Sequence, residues 1–129
     1  MKEIDWSSLS FGYMKTDYNV RCWYRNGAWG EIEVSSEETL NIHMAATCLH
    51  YGQEAFEGLK AYRCPDGKVR VFRMDENAAR LQSSCRGIMM PELPTELFEE
   101  MVTKVVRLNE AYIPPYESGA SLYIRPLLI

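Results

Sequence analysis

Tyr123 and Arg125 stand two positions apart in an apolar run, Ala120 to Ile129. Side chains two apart on a strand point to the same face, so a phenol and a guanidinium project together there and can present donors to an anion. A guanidinium in an apolar strand requires an anionic or hydrogen-bonding partner. An acidic side chain of the same chain would meet that requirement as well as a ligand would. The stretch Leu49 to Arg63 holds Tyr51, Gly52, Phe56 and Gly58 before it settles into strand-like alternation. Core packing is the plainer reading of its two aromatics, and bulges or close backbone approach that of its two glycines. Arg80 lies in a helical pattern between Ala79 and Leu81, where periodicity favours a solvent-facing charge, and Arg73 and Arg86 are equally eligible by composition. Lys60, between Leu59 and Ala61 in an alternating stretch, is expected to face solvent rather than to form a Schiff base. No nucleophile paired with a base, no glycine-rich phosphate loop and no paired carboxylates are evident.

These residues need a scaffold, and the composition provides for one. The 129 residues are 47% hydrophobic and 25% charged, enough for a single domain with its own core. Eighteen acidic against fourteen basic residues give a net charge of -4. Without a basic patch, binding to nucleic acid or to an anionic membrane is not expected. No stretch has the pattern of a secretory signal or the length of a membrane span, so a cytoplasmic setting is expected. Cys22, Cys48, Cys64 and Cys85 form no Cys-x-x-Cys pair and are expected as reduced thiols in or near the core. His43 and His50 match no metal-ligand spacing, so no metal site is expected.

The local patterns place the elements. Val20 to Tyr24 and Trp29 to Val34 flank Asn26-Gly27, a strong hairpin signal. Leu40 to Tyr51 stays ambiguous between strand and irregular structure. Glu57 to Arg63 and Lys68 to Met74 alternate around Cys64-Pro65-Asp66-Gly67, a second hairpin. Asp75 can cap a helix with Leu81, Cys85, Ile88 and Met89 on its apolar face. Pro91 and Pro94 then break the chain, and Thr95 can cap a second helix with Leu97, Met101, Val105 and Leu108 inward. A last strand runs from Ala120 to Ile129. The expectation is an α+β domain: a mostly antiparallel sheet with two helices on one side. The apolar end of the sequence leads us to expect that residues 1–129 are one domain of a longer chain. A leucine-bearing strand left at an open edge would equally suit a non-catalytic domain that associates with itself.

Leu49-His50-Tyr51-Gly52, Phe56-Glu57-Gly58, Arg80 and Tyr123-x-Arg125-Pro126, with Phe11-Gly12, Thr16-Asp17 and Val71-Phe72-Arg73, together resemble the branched-chain amino acid aminotransferases. These are fold-type IV pyridoxal-phosphate enzymes, and the resemblance spans nearly the whole chain. D-amino acid aminotransferases and aminodeoxychorismate lyases share the fold and carry variants of the same motifs. The resemblance implies an N-terminal small domain in which Arg80 contacts the phosphate of pyridoxal 5'-phosphate. It implies that Phe11, Tyr51 and Phe56 line an apolar side-chain pocket, with Tyr51 acting across a homodimer interface. Tyr123 and Arg125 would help to hold the carboxylates of the amino acid and 2-oxo acid substrates. The reaction implied moves the amino group of leucine, isoleucine or valine to 2-oxoglutarate. The resemblance implies that the family's catalytic lysine lies beyond Ile129, and none of Lys2, Lys15, Lys60, Lys68 and Lys104 occupies a matching context. No catalytic residue is therefore expected in this stretch, which should be inactive alone.

Overall fold

The computed structural model describes residues 2–129. Two antiparallel hairpins, as expected, organise the strands. The first joins β1 (Asn19–Arg25) to β2 (Ala28–Ser35). Asn26 and Gly27 both take positive φ, 54° and 80°, the paired left-handed conformation that matches the twist of a two-residue hairpin. The ambiguous stretch after it ends in a short helix, α1 (Thr47–Tyr51), closed by Gly52 at φ 61°. A two-residue strand β3 (Ala55–Phe56) leads to β4 (Leu59–Arg63), which turns back into β5 (Val69–Val71). That turn is tied by Asp66, whose carboxylate accepts from the Lys68 backbone N–H at 3.0 Å and from both terminal nitrogens of Arg70. The Arg70 bonds and then the Lys68 bond pull the Asp66 carboxyl down to about 2.

Two helices follow, α2 (Met74–Gly87) and α3 (Thr95–Leu108). Their first residues differ from expectation. Arg73, in a left-handed conformation, occupies the N-cap of α2, and Asp75 lies inside the first turn, where its charge favours the helix dipole. Pro94 caps α3, so Thr95 is the first helical residue. The apolar faces also shift. Helix α2 buries Ala78, Leu81 and Cys85 but stops at Gly87, leaving Ile88 as its C-cap and Met89 90% exposed. In α3 the buried row is Phe98, Val102 and Val106, and Leu97, Met101 and Val105 flank it. Both rows repeat every four residues.

The expected single strand from Ala120 to Ile129 is two strands, β6 (Leu122–Ile124) and β7 (Leu127–Leu128). Pro126 has no N–H to donate to a ladder and restricts Arg125 before it, so pairing stops there. Strand β6 pairs with β4 and β7 pairs with β3, giving three small antiparallel sheets in place of one: β1-β2, β3-β7 and β5-β4-β6. The core lies between the inward residues of the last two sheets and the helices: Ala55, Leu59, Ala61 and Ile124 against Leu81, Cys85, Phe98 and Val102. The fold is α+β with antiparallel pairing throughout. Lys60 is exposed, as its alternation implied. Among the described residues no helix is long and apolar enough to cross a membrane.

Candidate functional site

The tripeptide Phe56-Glu57-Gly58, between β3 and β4, positions the candidate residues. The buried positions Ala55, Leu59 and Ala61 alternate with exposed ones, and Glu57 falls in the buried register, 2% exposed. Phe56 stands on the opposite side, 57% exposed.

On that outward side four of the six expected binding residues meet. The Arg125 guanidinium sits over the Phe56 ring at 4.4 Å and over the Tyr123 ring at 5.3 Å. Its Nε and Nη2 donate to the Tyr123 hydroxyl at 3.3 and 3.0 Å. The Phe11 ring meets Tyr123 edge-on at 5.5 Å. Arg125 and Tyr123 thus project together as the two-residue spacing implied, although β6 ends at Ile124. Arg125 is exposed, so it escapes the desolvation cost assumed for an interior strand, and its described polar partner is the phenol. Gly58 makes this arrangement possible. A Cβ there would lie 2.3 Å from the Tyr123 hydroxyl, so the phenol occupies the space a side chain would need.

Tyr51 is set apart from this cluster. It is 84% exposed at the end of α1, tilted against His50, and with Gly52, Gln53 and Ile88 it lines an open depression of about 350 Å³. The core reading of Tyr51 and Phe56 is thereby corrected, since neither is buried. Each is the last residue of a short element, α1 or β3.

On the inward side Arg80 reaches Glu57. Arg80 Nε donates to one carboxylate oxygen at 2.8 Å and Nη2 to the other at 2.7 Å, while Asn77 Nδ2 donates at 2.9 Å. The Glu57 N–H donates to the Pro126 carbonyl at 3.0 Å, tying the tripeptide to the link between β6 and β7. Burial alone would raise the Glu57 carboxyl, but the bonds from Arg80 and Asn77 and the Arg80 charge outweigh it and hold it below the ordinary 4.5. The Arg80 side chain is itself 69% exposed. Among the described residues its Nη1 makes no hydrogen bond, so one edge of the guanidinium is pinned and the other faces outward.

Glu57 and Asn77 were missed as site residues. A signal did exist for Glu57: a carboxylate in the inward register of Ala55-x-Glu57-x-Leu59-x-Ala61 must find a cation or donors. Nothing in the sequence says which of the arginines supplies them.

No family model matches the chain. Among curated proteins it is 48% identical over all 129 residues to a branched-chain-amino-acid aminotransferase of Haemophilus influenzae, and 46% identical over the same span to one of Helicobacter pylori. Over its whole length the chain is similar to branched-chain-amino-acid aminotransferases. It spans 38% of the length of each of these two relatives. In structure it resembles the branched-chain amino acid aminotransferase of Escherichia coli, with a TM-score of 0.64 and 30% identity over 88% of this chain and 32% of that one. A second solved branched-chain amino acid aminotransferase, in complex with N-(5'-phosphopyridoxyl)-L-glutamate, gives a TM-score of 0.63 and 28% identity over 89% of this chain and 33% of that one. The fold is accordingly that of the fold-type IV aminotransferases.

Proposed function

We propose that residues 1–129 are the N-terminal small domain of a cytoplasmic, homodimeric branched-chain aminotransferase, which passes the amino group of leucine, isoleucine or valine to 2-oxoglutarate. The observation that carries this reading is the cluster of Phe11, Phe56, Tyr123 and Arg125, in which aromatic faces adjoin a guanidinium held by a phenol. Aliphatic side chains suit the aromatic faces, and the unbonded Nη1 edge of Arg125 suits a carboxylate. Tyr51, exposed and apart from the cluster, is well placed to serve a partner subunit's pocket in a dimer.

The residues present also fit the phosphate of pyridoxal 5'-phosphate. Arg80 offers an outward edge with parallel donors, and its inward edge is fixed by Glu57. When bound, that cofactor supplies an electron sink for bonds at the amino acid α-carbon. This chain contributes a phosphate contact, the side-chain pocket and a carboxylate partner, and the catalytic lysine comes from outside it.

The test is transamination by the full-length protein with L-leucine and with D-alanine, each with 2-oxoglutarate, beside the 129-residue chain alone. Activity with L-leucine in the full-length protein and none in the chain alone is the expected result. Activity confined to D-alanine would assign the protein to the D-amino acid aminotransferases. Arg80→Ala should weaken cofactor retention about 10-fold or more.

A further inference from the structure

We propose that Glu57 is a positioning residue for Arg80, holding the guanidinium by its Nε–Nη2 edge so that the opposite edge is offered at a fixed angle to a cofactor phosphate. The proposal rests on the cofactor reading above and adds to it a role for a group that touches neither cofactor nor substrate.

The argument begins with the contrast in exposure across the pair. The Arg80 side chain is 69% exposed, and a long side chain so placed would ordinarily sample many rotamers. Its partner is 2% exposed and held from several sides. Glu57 is set by strand register, its backbone N–H is bonded to the Pro126 carbonyl, and Asn77 bonds one of its carboxylate oxygens. The two parallel bonds at 2.8 and 2.7 Å transmit that rigidity to the guanidinium. Of the five N–H donors of an arginine, two are spent on Glu57, and both hydrogens of Nη1 and the outer one of Nη2 remain. Arg80 is thereby preorganised, and an anion binding to it loses less ordering entropy.

The same pair has an opposing effect. The Glu57 charge cancels that of Arg80 and weakens the Coulomb attraction for a phosphate. Fixed orientation and lost charge pull the affinity in opposite directions. A glutamine at position 57 keeps the shape but removes the charge, so the sign of its effect decides which of them governs.

The experiment measures, in the full-length protein, dissociation constants for pyridoxal 5'-phosphate and for pyridoxal, which lacks the phosphate. Their ratio reads the phosphate contact. For Glu57→Gln the ratio should fall about 10-fold, with pyridoxal affinity unchanged. In an Arg80→Ala background the same substitution should change nothing further. Asn77→Ala, which keeps both charges but removes one of the two donors to the Glu57 oxygen that Arg80 Nη2 also bonds, should lower the ratio by a smaller factor, and it serves as the second variant if Glu57→Gln fails to fold. A ratio that rises or stays level, or an equal loss for both ligands, would overturn the positioning role and leave Glu57 as a structural partner. A wild-type protein that does not distinguish the two ligands would overturn the cofactor reading itself, and Glu57's role with it.

Discussion

The two sides of Phe56-Glu57-Gly58 are held by different physics. Outward, Phe56, Tyr123, Arg125 and Phe11 meet through ring faces, a cation over an aromatic and a phenol bond, all at the surface. Inward, a buried carboxylate fixes Arg80 and Asn77 through short polar bonds. Surface contacts of the first kind are individually weak and can adapt. A buried charge with its donors cannot rearrange without leaving a polar group unpaired. Under the proposed function, the first kind of support suits a pocket that takes both an aliphatic side chain and a second carboxylate, and the second kind suits a phosphate anchor.

Substitutions on either side should break this comparison in order of size. The largest loss of unfolding free energy is expected for Glu57→Gln, about 1.5–3 kcal/mol by urea denaturation near pH 7. The Glu57 carboxyl is depressed in the folded state, so its contribution is present above the unfolded value near 4.5 and disappears as pH falls through the folded value. Wild type and variant should therefore begin to converge in stability below about pH 4.5 and meet once pH is below the folded value, and a gap that persisted at still lower pH would mean that the variant acts by packing. Asn77→Ala removes one donor to the carboxylate and should cost about 1 kcal/mol in the same assay, less than additively with Glu57→Gln.

On the outward side stability and function should separate. Gly58→Ala requires the Tyr123 ring to swing away, and at 37% exposure it has somewhere to go. Its cost in unfolding should stay below about 1 kcal/mol, while the KM of the full-length protein for the dicarboxylate acceptor, 2-oxoglutarate, rises roughly 10-fold. An unchanged KM would show that the Tyr123–Arg125 contact does not serve the carboxylate. The smallest effect is expected for Phe11→Ala. That side chain is 88% exposed, and unfolding should shift by no more than about 0.5 kcal/mol, with any change confined to substrate preference.

Much of the framework was legible one residue at a time. Asn26-Gly27 and Cys64-Pro65-Asp66-Gly67 specify their hairpins through backbone conformations that few other residues adopt. Pro91 and Pro94 separate the two helices for the same local reason. Where neighbouring four-residue rows were both apolar, as in α3, periodicity could not choose between Leu97-Met101-Val105 and Phe98-Val102-Val106. The short helix α1 and the two-residue strands β3 and β7 carry too few residues for any period to register.

The candidate site divides in the same way. That Tyr123 and Arg125 would stand together followed from sequence alone, because a separation of two residues is a matter of backbone geometry. That Phe11 would reach Tyr123 and that Arg80, rather than Arg73 or Arg86, would take Glu57 was decided by tertiary packing. These partners lie far apart along the chain, so their meeting depends on where Pro126 ends β6, where α2 lies against β3 and β4, and which carboxylate is left without water.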